Sequence, residues 1–195
     1  MRIGPAYLIL AIIVICLAAG FGGYIASSGP TQPAPLQRQE EVAIGKFTAV
    51  SPPLPASALA YTARDGKTAR LADFHGHWLL VNLWATWCGP CIKEMPSLDR
   101  MQARLAPAVD VVAISEDRNG AKAVDPFLAT LHIDAMKIGL DPAGDIAGAL
   151  HVQGLPTTFL LDPQGRIVAK LEGTVNWDAT PTLATLKGLM TPSGG

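Results

Sequence analysis

The 195-residue chain has only three cysteines, Cys16, Cys88 and Cys91, and Cys16 lies inside an apolar run, so one pair is available. That excludes the multiply bridged scaffold of a small secreted domain. A surplus of either charge is also missing, because 15 Lys and Arg stand against 16 Asp and Glu for a formal net charge of −1. Neither a nucleic-acid patch nor a polybasic membrane surface is expected. The cysteine pair has no second Cys/His pair at metal-ligand spacing, so no metal site is expected, and no cofactor. Internal repeats and nucleotide fingerprints are absent. Gly20-Phe21-Gly22-Gly23 falls in the apolar N-terminal segment and is not a phosphate loop.

One long apolar run is present. Pro5–Ile25 is uncharged over 21 positions, about enough to cross a ~30 Å hydrocarbon core at ~1.5 Å per residue. Arg2 and the free amine lead it, and the far flank reaches Glu40 and Glu41 with only Arg38 nearby. The positive-inside rule then puts the N-terminus in the cytoplasm and the bulk of the chain outside. A cleaved signal peptide is the competing reading. The run is long for one, and the small-residue sites near Ala18-Ala19-Gly20 are imperfect. Residues 1–26 are therefore expected to be a transmembrane anchor, with Cys16 a small membrane hydrophobe. Residues 27–58 read as a linker, since Pro30, Pro33, Pro35, Pro52, Pro53 and Pro55 favour extended chain. Its last part, Gly45–Leu59, can be read either as linker or as chain lying along the domain. Residues 59–190 form the expected domain, and 191–195 a disordered tail.

The chemistry concentrates in Leu79–Leu98. Leu79–Trp84 is apolar except for Asn82, as in a strand buried on both faces. A short turn, Ala85–Trp87, leads to Cys88-Gly89-Pro90-Cys91 and a helical pattern. A CxxC pair at a helix start directly after a buried strand reads as a redox-active dithiol. The reason is physical. Unpaired N–H groups and the helix dipole stabilise an anion at the helix N-terminus, and the thiolate is the attacking species. Pro90 suits the first turn, where its missing N–H costs nothing.

The rest of the chain predicts alternating elements. Leu59–Ala63 and Thr68–Leu71 flank Asp65-Gly66 as a hairpin, and Leu71–Phe74 reads as a single helical turn. His75 and His77 are read as exposed turn residues and not as a metal pair. After the CxxC helix, which runs to about Leu105 with a kink expected at Pro96, come a strand at Val109–Ile114, a loop at Ser115–Gly120 and a helix at Ala121–Leu131. A short strand at Met136–Gly139 and a helix through about Leu150 precede strands at Thr158–Leu161 and Arg166–Glu172, and a helix at Trp177–Met190 closes the chain.

Trp84-Ala85-Thr86-Trp87-Cys88-Gly89-Pro90-Cys91, then Glu94-Met95-Pro96, with Gly154-Leu155-Pro156-Thr157-Thr158 preceding a strand, resembles the thioredoxin superfamily. Within it the chain is most similar to the membrane-anchored TlpA/ResA-like group, over about residues 45–190. The resemblance implies a thioredoxin-like α/β fold: a central mixed sheet flanked by helices, an N-terminal β-hairpin, and an αβ insert before the cis-proline strand. It implies that Pro156 is cis and faces the dithiol. It implies a redox disulfide Cys88–Cys91, with Cys88 attacking and Cys91 resolving. Glu94, one helical turn after Cys91, is implied as a partly buried acid that relays protons. Asn82 stands where thioredoxin has a buried aspartate and cannot titrate, which shifts that role to Glu94. Trp87, Gly89, Pro90, Leu155, Pro156 and Thr157 are expected to meet the partner chain. Trp84 is expected either to join that surface or to pack in the core.

The implied activity is that of a periplasmic thiol:disulfide oxidoreductase working as a reductant. Implied clients are disulfides of apocytochrome c or of copper-site proteins in oxidase assembly. Recharging implies an integral membrane electron donor of the DsbD/CcdA type, and the protein is expected to be a monomer. A general disulfide isomerase or oxidase is an alternative. A copper metallochaperone on the same fold needs a CxxxC pair and a placed histidine, and His132 and His151 have no evident position for it. A peroxiredoxin needs a lone reactive cysteine with a Thr and Arg pattern, which is absent.

Overall fold

The computed structural model describes residues 47–191 of the chain. The expected anchor and nearly all of the expected tail lie outside the described residues. Among the described residues, no helix is long and apolar enough to cross a membrane.

The apolar run after His77 forms β4 (Trp78–Trp84), buried at every position but the first. Its side chains alternate between two layers, as the pleat requires. Leu80 and Trp84 join one hydrophobic cluster, and Leu79, Val81 and Leu83 join the other. Asn82 has the parity of Leu80 and Trp84, so it faces the first layer. That layer holds α1 (Gly89–Leu105), α2 (Ala121–Leu131) and α4 (Thr180–Met190), through Met95, Leu98, Met101, Val124, Leu128, Leu183 and Leu186. The second layer holds the 3₁₀ turn Leu71–Phe74 and α3 (Asp145–Ala149).

The strands are β1 (Thr48–Pro55), β2 (Ala60–Ala63), β3 (Thr68–Arg70), β4, β5 (Val109–Ser115), β6 (Lys137–Leu140), β7 (Thr157–Leu161) and β8 (Arg166–Glu172). They form one sheet in the order β1-β8-β7-β4-β5-β6-β2-β3. β4, β5 and β6 run parallel, joined by the helical crossovers α1 and α2. β7 lies antiparallel to β4 with Leu83 opposite Thr157 and Asn82 opposite Thr158. Between β5 and β7 come α2, β6 and α3, the insert that the resemblance implied.

Two expected boundaries are corrected. Of the linker expected over residues 27–58, residues 27–46 lie outside the described residues, and in its last part, which was open to either reading, Thr48–Pro55 is an edge strand of the sheet, antiparallel to β8. Proline is tolerated there because an edge strand has one side with no ladder partner. The register breaks between Ala49 and Leu54, around Pro52 and Pro53, which have no N–H to donate. The last helix was expected from Trp177, but α4 begins at Thr180. The Trp177 side chain is fully buried, and the Trp177 backbone N–H donates across the layer to Ser97 Oγ at 3.1 Å.

Candidate active site

The dithiol sits where β4 ends and α1 begins. Cys88 is the N-cap residue of α1 and Pro90 lies in its first turn. Cys88 and Cys91 form a disulfide with Cα atoms 5.3 Å apart. The Cys91 N–H donates to Cys88 Sγ at 3.3 Å, so the sulfur occupies the place of a capping acceptor. Cys91 is fully buried and Cys88 retains slight exposure. Gly89 and Pro90 are exposed between them. Trp87, just before the pair, is 71% exposed, the most exposed large apolar side chain among the described residues.

The second half of the site comes from β7. The Leu155–Pro156 peptide is cis. Because Leu83 pairs with Thr157, Pro156 lies beside the end of β4, where the chain turns toward Cys88. Thr157 is buried and its hydroxyl donates to the Gly154 carbonyl at 2.7 Å. Leu155 is half-buried and packs on both hydrophobic layers. Trp84 packs in the core, fully buried against Phe127 with ring centroids 5.9 Å apart, so it does not belong to the exposed surface.

Glu94 lies one turn beyond Cys91 on α1 and is only 3% exposed. Burial pushes its carboxyl up to about 7; the Asn82 amide, the Trp177 indole and the Val175 N–H oppose that rise. Asn82 Nδ2 donates to Glu94 Oε1 at 2.9 Å and to Thr158 Oγ1 at 2.9 Å. The Val175 N–H donates to Glu94 Oε2 at 3.4 Å. Trp177 Nε1 acts on the carboxylate but closes no hydrogen bond of ordinary geometry. Asn82 thus replaces a titrating group by a fixed donor and ties Glu94 to the cis-proline strand. A cleft of about 350 Å³ between α1 and the segment after β8, lined by Lys93, Ser97, Arg100, Thr174 and Asn176 among others, has Glu94 on its wall. An acid with a pKa about 7, buried one turn past Cys91 and bordering a cleft, can take and return a proton at neutral pH.

His75, His77, His132 and His151 are all exposed. Among the described residues no group of three or more His, Cys, Asp or Glu side chains is arranged to hold a metal ion.

Reading the sequence missed the polar cluster at the end of β5. Ser115 and Asp117 are buried, and Asp117 holds Thr86 of the turn before Cys88. A signal was available: polar residues follow directly on a buried parallel strand, and sites in α/β sheets gather at the carboxyl ends of such strands. Glu116 between them has a carboxyl raised to about 7, by burial first and then by the charges of Asp141 and Asp145.

Fold and site together define a thioredoxin-like thiol:disulfide oxidoreductase. Residues 49–187 match the Redoxin family, and the chain belongs to it. It is 28% identical over 166 residues to the thiol-disulfide oxidoreductase ResA of Bacillus thuringiensis subsp. konkukian (strain 97-27), covering 85% of this chain and 86% of that one. Its identity to ResA of Bacillus subtilis (strain 168) is 32% over 112 residues, 57% of this chain and 62% of the relative. The crystal structure of a DsbE-type thiol:disulfide interchange protein from Chlorobium tepidum superposes with a TM-score of 0.63 at 28% identity, covering 71% of this chain and 97% of that one.

Proposed function

We propose that this oxidoreductase works as a reductant outside the cytoplasmic membrane, held there by Pro5–Ile25. The observation that carries the reading is the CxxC pair capping α1, with the exposed Trp87 on one side and Glu94 buried one turn further on. In the reduced protein, the Cys88 thiolate attacks one sulfur of a client disulfide. A mixed disulfide forms and the first client thiolate leaves. Glu94, as carboxylate, takes the proton from the Cys91 thiol. The Cys91 sulfur then attacks Cys88 Sγ, closing the Cys88–Cys91 disulfide and releasing the second client thiolate. Two electrons pass to the client, and the site is left as the disulfide described above. Return to the dithiol needs two electrons from a donor dithiol, the place of a membrane partner of the DsbD/CcdA type.

Trp87, Gly89, Pro90, Leu155, Pro156 and Thr157 form the partner surface in this reading. Leu155 lies just before β7, and its backbone N–H and C=O make no hydrogen bond among the described residues. They are open to an extended client segment, as in strand addition. The clients in this reading are apocytochrome c or copper-assembly proteins.

The test is the reduction potential of the full chain, with capture of partners by the Cys91→Ser variant. Gly-Pro between the cysteines matches reducing thioredoxins near about −270 mV, whereas strong oxidants of the fold lie near about −120 mV. A potential above roughly −180 mV means an oxidase or isomerase and overturns the reductant reading. Cys91→Ser should accumulate mixed disulfides through Cys88, and Cys88→Ser few. Loss of the full chain from the membrane fraction overturns the anchor.

A further inference from the structure

β5 ends at Ser115, directly beside Trp84 at the end of β4. Two residues later Asp117 is 4% exposed, and no Lys, Arg or His among the described residues forms an ion pair with it. Its partners are hydrogen-bond donors from two residues. The Thr86 N–H donates to Oδ2 at 2.8 Å and the Thr86 hydroxyl to Oδ1 at 2.7 Å. The Ser115 hydroxyl donates to Oδ2 at 2.8 Å and accepts from the Asp117 N–H at 3.1 Å. Thr86 lies two residues before Cys88, in a turn whose own backbone contributes the Cys88 N–H to Ala85 C=O bond at 3.1 Å. The turn is therefore set from the neighbouring strand.

We infer that Asp117 is a positioning residue for the attacking thiol, clamping Thr86 by both its N–H and its hydroxyl so that Cys88 is held at the N-cap of α1. A buried carboxylate without a cation is a costly way to stabilise a turn. What it supplies is a two-oxygen fork that fixes two donors of one residue at once, which a neutral side chain does less well. The consequence falls on Cys88. Its thiolate is favoured only while Sγ stays among the first N–H groups of the helix. The inference rests on the reading of Cys88 as the attacking thiol.

Placement and charge act with opposite sign, so they can be separated. Removing a negative charge near a thiol favours the thiolate, while losing the N-cap placement disfavours it. The other titratable and charged groups on these segments are Glu116 and Arg118 beside Asp117, Asp141 and Asp145 after β6, and Lys93 and Glu94 on α1, and none is altered in the variants below.

The experiment measures alkylation of Cys88 by iodoacetamide against pH, read by mass spectrometry of the Cys88 peptide, in the full chain carrying Cys91→Ser. Asp117→Asn and Thr86→Val should each move the midpoint upward, by about one pH unit, with roughly tenfold slower alkylation at neutral pH. Thr86→Ser, which keeps the hydroxyl, should restore the parent profile. A midpoint that falls in Asp117→Asn would mean that the carboxylate acts by its charge, and the inference is wrong. An unmoved midpoint in Thr86→Val overturns it as well, and decides the matter even where Asp117→Asn does not fold. A parent whose Cys88 titrates as a free cysteine near about 8.5 refutes the underlying reading of Cys88, a failure distinct from unmoved variants of an activated parent.

Discussion

Replacing Glu94 by glutamine tests both the burial of this acid and its use. The substitution keeps the shape and leaves an oxygen for the Asn82 amide, but removes the ionisation. Glu94 rises from 4.5 to about 7 mainly because burial disfavours its charged form. The folded-state pKa lies above the unfolded one, so the group's contribution to stability is fully present below about 4.5 and is lost as the pH rises through about 7. At about 1.4 kcal/mol per unit, the loss is on the order of 3 kcal/mol. Glu116 carries a similar rise but is only partly buried, so its share is smaller through screening, and it is common to both proteins. Urea unfolding of the oxidised protein should therefore show Glu94→Gln matching the parent near about pH 4 and exceeding it by roughly 3 kcal/mol near about pH 8. A difference that stays flat across that range would refute the burial argument. Disulfide reduction by the variant should slow by about a hundredfold near neutral pH, the low end of general acid–base effects. Undiminished turnover would remove Glu94 from the proton path while leaving the stability result standing.

Trp87→Ala should leave the unfolding free energy within about 0.5 kcal/mol, since the side chain is 71% exposed. It should slow reduction of a disulfide-bearing protein more than reduction of a small disulfide, and equal slowing would count against Trp87 as a docking residue. Gly139→Ala should destabilise the domain by about 1–3 kcal/mol in urea unfolding. Its Cβ would lie 2.5 Å from Tyr61 Cδ2 and 3.1 Å from Ile114 Cγ1, and the buried Tyr61 ring has to move to admit it.

Features that depend on neighbours in the chain are legible in the amino-acid sequence alone. The strand–turn–CxxC–helix order is one, because burial, thiol spacing and the proline in the first turn are all set within about a dozen residues. The Asp65-Gly66 hairpin, the single turn at Leu71–Phe74 and the helix at Ala121–Leu131 are others, each marked by its own turn chemistry or periodicity. Glu94 stands one turn past Cys91 on the same face, and it is the resemblance to the TlpA/ResA-like group that implies its role.

Tertiary structure decided what joins residues far apart in sequence. Thr48–Pro55 has the composition of a linker and becomes a strand only because β8 offers it an edge where missing N–H groups do little harm. Trp84 and Trp87 look alike in the sequence; the pleat of β4 buries the first, and the turn exposes the second. Asn82 reads as a polar interruption until its register opposite Thr158 and beneath α1 gives its amide two acceptors. Asp117 has no local signature of its role, because the donors it clamps arrive just after β4, 31 residues earlier. Hydrogen bonds of that kind follow from strand order, and strand order follows from how both faces of one sheet are covered.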